Sequence, residues 1–122
     1  MEQNCTVQEP LPLEMTAERT GVSIVVRVAG EIDLATAPAF EEFLLDQLAH
    51  TRAVLMVDLA EVDHIGSAGL GVLLAVRAEC DRRRVDLVFG ECSFIVSRVF
   101  ELSGLASHFL GGGAGVSRPA AP

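Results

Sequence analysis

Apolar and polar residues alternate along Leu13-Glu14-Met15-Thr16-Ala17-Glu18, the period-two pattern of a half-exposed edge strand. Gly21 marks a turn. Val22 to Ala29 (V-S-I-V-V-R-V-A) is rich in β-branched residues and reads as a more central strand, paired with the first as a hairpin. The period then changes. Phe40, Phe43, Leu44 and Leu48 fall on one stripe at helical spacing behind Thr36-Ala37-Pro38. Thr36 or Ala37 caps this helix, and Pro38 sits in its first turn, where a missing N–H costs nothing. Glu41 and Glu42 suit the positive end of its dipole and His50 the negative end, so the helix is expected over about 38–50.

Residues 53–58 are apolar on both faces and predict an interior strand. A short loop follows, and Ile65-Gly66-Ser67-Ala68-Gly69 turns into a helix expected over about 67–83. The first half of that helix is uncharged as far as Arg77 and apolar all round; the second half carries Arg77, Glu79, Asp81, Arg82 and Arg83. Asp86 to Phe89 is another short buried strand, ended by Gly90. Ser93 caps a helix with the stripe Ile95, Val96, Val99, Phe100 and Leu102, and Gly104 closes it. Residues 106–110 read as a last strand or turn. Residues 111–122, rich in Gly, Ala, Pro and Ser and poor in apolar bulk, read as a disordered tail, and residues 1–12 as a lead-in. The order is ββαβαβα: an α/β fold with a small mixed sheet of about four or five strands, helices packed against it and right-handed crossovers between parallel neighbours. A single domain is expected over residues 13–110.

Composition narrows the function. A chain of 122 residues, half of them hydrophobic, supports one core. Its formal net charge of -8 argues against nucleic acid and anionic membranes as partners, and speeds encounter with a basic protein. The first ten residues lack the basic and apolar segments of a secretory signal. No apolar run reaches the ~18 residues of a membrane span, so a cytoplasmic location is expected. Cys5, Cys80 and Cys92 are odd in number and form no C-x-x-C, which disfavours a disulfide framework or a zinc site. They read as small, partly buried thiols, with a Cys80–Cys92 redox switch as the alternative. Neither a metal nor a cofactor is expected.

One hydroxyl, Ser67, sits where strand and loop give way to helix. An N-cap alone would explain a serine there. Gly69 and Gly71 in the first turns each cost about 1 kcal/mol against alanine, so something approaches the backbone closely, either a partner or the sheet. Leu70, Val72, Leu73, Leu74 and Val76 surround the helix axis; one stripe packs on the sheet, and the other is an exposed apolar patch unless it too is covered. Three chemistries compete. A serine hydrolase wants G-x-S-x-G, but Ile65 stands at the first glycine; Asp86 and His108 follow in the order acid then His, in a chain too short for that fold. A nucleotide loop wants glycine and lysine at spacings that G-S-A-G-L-G does not supply, although a phosphate could rest on the helix N-terminus. Phosphorylation of Ser67 would add about -1.5 to -2 charges in an apolar surface, near acids such as Asp33, and would break an interface without changing the fold. His64 invites a role as catalytic base, but a lone loop histidine is more often a surface polar group.

Gly30-Glu31-Ile32-Asp33 before Thr36-Ala37-Pro38, Val57-Asp58-Leu59 with Val62, Ser67-Ala68-Gly69-Leu70-Gly71-Val72-Leu73, and Val99-Phe100-Glu101-Leu102-Ser103-Gly104-Leu105 occur in one order and spacing. With these the chain resembles the STAS domain family, specifically the bacterial anti-sigma factor antagonists, from about Leu13 to Leu110. The resemblance implies a non-enzymatic regulator of transcription in stress responses. Such a protein binds an anti-sigma factor with a histidine-kinase-like ATP-binding fold and so frees the sigma factor. That anti-sigma factor is also a serine kinase. Phosphorylation of the antagonist ends the complex, and a serine phosphatase restores it. By position Ser67 matches the phosphoacceptor, and Asp33 matches an acidic position near it. The expected partner-binding set is Asp33, Thr36, His64, Gly66, Ser67, Ala68, Gly69, Leu70 and Leu73, within the 64–76 loop-helix and the 30–38 segment. The chain departs from the family pattern at Gly66, where aspartate is usual. A STAS-type small-ligand or nucleotide sensor, and a redox-regulated antagonist that is not phosphorylated, remain as alternatives.

Overall fold

β1 (Leu13–Thr20) and β2 (Ser23–Ile32) form an antiparallel hairpin, in register from Leu13 opposite Gly30 to Thr20 opposite Ser23. The computed structural model, which describes residues 13–104, continues through α1 (Ala37–Leu48), β3 (Val54–Ile65), α2 (Ser67–Arg83), β4 (Asp86–Cys92) and α3 (Phe94–Ser103). The four strands lie in the order β1-β2-β3-β4, with β3 parallel to both β2 and β4. The ββαβαβα order expected from the hydrophobic pattern is the one observed. The expected lead-in, the last strand or turn at 106–110 and the tail lie outside the described residues.

Sheet register explains the core. Ile24, Val26, Leu55, Val57 and Phe89 are aligned across three strands and fully buried. The intervening Val25, Arg27, Met56, Asp58 and Val88 are half-buried or exposed, as the period of two requires. The helical stripes meet this core through Phe40, Leu44 and Leu48 of α1, Leu73, Val76 and Cys80 of α2, and Val96 and Phe100 of α3. The Phe89 and Phe100 rings stand edge to face with centroids 5.9 Å apart, a geometry that adds about 1 kcal/mol to their burial. α1 packs along α2, and α3 packs on β3. The charged second half of α2 is a solvated face, where Glu79 pairs with both Arg82 and Arg83. No helix among the described residues is long and apolar enough to cross a membrane.

β3 is longer than its apolar run suggests. The expected loop after Asp58 is strand, because β2 offers it ladder partners as far as Ile32 opposite Ile65. Two register shifts, at Arg27/Ala29 and Gly30/Glu31, re-phase the pairing. Leu59, Val62 and Ile65 are therefore all buried although they are spaced by three. Gly30 supplies the positive φ (119°) at the second irregularity, where a side chain would be strained. β4 likewise runs through Gly90 to Cys92, which pairs with Leu59. Ser93 does cap α3: its hydroxyl accepts from Val96 N–H (3.2 Å) and donates to the Val62 carbonyl (2.7 Å), tying the helix start to β3. Gly104 closes α3 in the left-handed conformation.

Candidate functional site

Two chain reversals meet at the C-terminal ends of β2 and β3, and both are built from polar residues followed by a helix. In the first, Asp33 organises the turn. Its Oδ1 accepts from the Ala35 and Thr36 N–H groups (3.0 Å each), and its carbonyl accepts from Ala37 N–H (2.8 Å). Thr36 is the residue at the start of α1, as expected. Its hydroxyl, however, turns back to donate to the Glu31 carbonyl (2.9 Å) and accept from Asp33 N–H (2.9 Å) instead of capping the helix. The Thr36 N–H holds the Asp33 carboxyl below the ordinary aspartate range, with smaller help from the Thr36 hydroxyl, the Ala35 N–H and the charge of His64 working against partial desolvation. Thr36 is buried, so it positions this turn and does not itself present to a partner.

In the second reversal, Gly66 N–H donates to the Ile32 carbonyl (2.9 Å), extending the β2–β3 ladder by one bond. Gly66, in extended conformation, is the N-cap of α2. Ser67 is therefore the first helical residue and not the cap: its side chain is exposed and makes no hydrogen bond among the described residues. The first intrahelical bond runs from Leu70 N–H to the Gly66 carbonyl (3.1 Å), which leaves the N–H groups of Ser67, Ala68 and Gly69 without intrahelical partners. A free hydroxyl thus stands at the positive end of a helix of 17 residues.

The three glycines separate in role. A Cβ on Gly69 would lie 2.5 Å from Ile32 Cγ2 and 2.8 Å from Ile65 Cγ1, so at Gly69 the close approach is that of the sheet. A Cβ on Gly71 would meet nothing within 4 Å, and one on Gly66 would make only ordinary contact, 3.6 Å from His64 Nε2. Leu70 and Leu73 face inward with Gly69 and are buried. These three members of the expected partner-binding set position the helix and have no surface for a partner. The uncovered stripe of α2 is Ser67, Gly71, Leu74 and Ala75, with Leu74 40% exposed.

That stripe borders an open groove between α1 and α2, lined by Leu34, Ala37, Pro38, Glu41, Ala68 and Gly71 among others. Leu34 is 81% exposed at the tip of the Asp33 turn. It falls on no helical or strand stripe, so hydrophobic periodicity does not single it out. Yet a leucine inside a turn, two residues before a helix cap, is itself the signal. Of the expected set, Asp33, His64, Gly66, Ser67 and Ala68 are brought together with access to solvent.

Two other chemistries fare less well. Asp86 pairs with Val54 at the opposite end of β3 from Ser67, roughly 35 Å along the strand, so these two cannot share a hydrolase site. His108 lies outside the described residues. Burial pushes the Cys80 and Cys92 thiols up to about 11, so neither is poised as a thiolate near neutral pH. Cys5 lies outside the described residues. No group of three His, Cys, Asp or Glu among the described residues is placed to hold a metal ion.

The STAS domain profile matches residues 14–115. The anti-sigma-B factor antagonist of Listeria monocytogenes is 38% identical over 89 residues, covering 73% of this chain and 78% of the relative. The crystal structure of an anti-sigma factor antagonist from Mycobacterium paratuberculosis superposes with a TM-score of 0.72 at 30% identity, over 84% of this chain and 87% of that one. SpoIIAA of Bacillus in its phosphorylated form shares the fold, with a TM-score of 0.62 at 18% identity over 80% of this chain and 89% of that one.

Proposed function

This chain belongs to the STAS domain family, and from that premise we propose that it is an anti-sigma factor antagonist which docks through the Ser67 end of the molecule and is switched off by phosphorylation of Ser67. The observation that carries the reading is the exposed, unbonded Ser67 hydroxyl at the head of α2, beside an open apolar groove. The partner is an anti-sigma factor with an ATP-binding kinase fold. Leu34, Pro38, Ala68, Gly71 and Ala75 supply its apolar contact, and docking in the cytoplasm frees the sigma factor. The grooves of the described surface are open depressions, which suits a protein partner better than the enclosed pocket a small ligand needs.

The chain is a substrate of the switch and not its catalyst. Ser67 Oγ forms a bond to the γ-phosphorus of ATP as the bond to the ADP oxygen breaks, and a base of the kinase takes the hydroxyl proton. A phosphatase reverses the state by adding water across the phosphoester. The modification acts through docking. In the free chain, water screens a phosphate dianion from Asp33; docking removes that water. For charges roughly 6 Å apart, lowering the effective dielectric constant from about 80 to about 20 costs on the order of 4 kcal/mol, about a thousandfold in affinity. The test is incubation with the cognate kinase and ATP, followed by mapping of the phosphate. Modification at Ser67 is expected; phosphate on another residue, or none under conditions where the two proteins bind, would sink the switch.

A further inference from the structure

The two segments that frame Ser67, residues 30–38 and 58–76, contain no lysine or arginine, and His64 is their one basic side chain. His64 is exposed, pairs in register with Glu31 on β2, and sets its Nε2 3.6 Å from where a Cβ on Gly66 would stand. Its charge is felt at Asp33 across the same small space. The imidazole therefore lies beside the bare backbone of Gly66, the residue before Ser67, and within electrostatic reach of the Asp33 carboxylate.

We propose that His64 is the positioning residue for a phosphoryl group on Ser67: its imidazolium holds the phosphate over the bare Gly66, between the free N–H groups of α2 and the Asp33 carboxylate. The inference rests on Ser67 as the modified residue. The N–H groups at the head of α2 attract an anion but carry no full charge. An imidazolium does, and it neutralises part of a dianion that Asp33 would otherwise repel. The charged groups near His64 in the fold are acidic. Glu31 pairs with it from β2 and Asp33 comes from the turn before α1, while Asp63, its neighbour on β3, points to the opposite face. α2 contributes no charge before Arg77, and on α3 the charged residues Arg98 and Glu101 pair with each other at 3.6 Å. Gly66 adds no side chain to this space, and a Cβ there would make only ordinary contact, 3.6 Å from Nε2.

The test is a phosphorus NMR titration of the full chain with phosphoserine incorporated at position 67 during translation, so that no kinase is needed. The second ionisation of phosphoserine lies near ~6, and its midpoint reports any positive charge held against the phosphate. We expect the phosphate midpoint to lie about half a unit to one unit lower with His64 than in His64→Gln, and His64→Arg to keep the low midpoint. Equal midpoints in His64 and His64→Gln would overturn the proposal, as would a His64→Arg midpoint as high as that of His64→Gln. Because the phosphate is installed without an enzyme, a negative result leaves kinase recognition of Ser67 standing, and failure of the kinase assay leaves this measurement intact.

Discussion

Replacing Gly69 and Gly71 by alanine, one at a time, asks whether two glycines two residues apart, on opposite sides of α2, serve the sheet and the partner respectively. Both sit inside α2, so each substitution gains about 1 kcal/mol of helix propensity. At Gly69 the added methyl meets Ile32 Cγ2 at 2.5 Å and Ile65 Cγ1 at 2.8 Å. Both isoleucines are buried and β-branched, with little freedom to swing aside, so the overpacking cost falls in the upper part of the ~1–3 kcal/mol range. The expected net loss for Gly69→Ala is about 1–2 kcal/mol. At Gly71 nothing lies within 4 Å, and a net gain of about 0.5–1 kcal/mol is expected. Urea unfolding of both variants and the parent measures the difference, which removes the shared helix contribution and isolates the contact with β2 and β3. A difference of about 2–3 kcal/mol is expected between the two. Variants within about 0.5 kcal/mol of each other would refute the close approach at Gly69. The Gly71→Ala protein, folded and stable, then places a methyl in the groove beside Ala68 and Ala75 and should bind the anti-sigma factor less tightly.

Asp33 and the cysteines carry the remaining predictions. The Asp33 carboxyl is held below its ordinary value, so the stability it contributes is present above the unfolded value of ~3.9 and is lost as pH falls through the lower folded value. Asp33→Asn should therefore be less stable than the parent at neutral pH, with the gap narrowing only below about pH 4 in urea titrations at stepped pH; a gap constant across that range would contradict the assignment. In a Cys5→Ser background, Cys80 and Cys92 should label slowly with a disulfide reagent at pH 8 until the protein is unfolded, since burial pushes both thiols up to about 11. Rapid labelling of the native protein would restore the redox reading.

The order of elements was legible because α1 and α3 carry compact apolar stripes, β1 alternates with period two and β2 is a β-branched run. What escaped was set by neighbours in space. β3 continues past Asp58 because it takes up one extra residue at each of two register shifts while β2 keeps supplying ladder partners, a pairing that no local period encodes. At the site, Ser67 was recognisable as the hydroxyl at a strand-to-helix junction, but its place inside the helix and not at the cap depends on Gly66 bonding to Ile32. The glycines looked equivalent in sequence; only the position of Ile32 and Ile65 distinguishes Gly69 from Gly71. Leu70 and Leu73 belong to the expected contact set yet face the core, because a helix start apolar all round does not say which stripe the sheet takes. Leu34 was legible in principle, as an apolar residue in a polar turn.

The central claim is that the free hydroxyl at the head of α2 marks the docking surface and that charge there abolishes docking. Displacement of a fluorescently labelled sigma factor from the purified anti-sigma factor, followed by anisotropy, tests it most directly. The unmodified chain and Ser67→Ala should each release the sigma factor at stoichiometric concentration, and the chain carrying phosphoserine at position 67 should not. Equal release by the modified and unmodified chains would contradict the account.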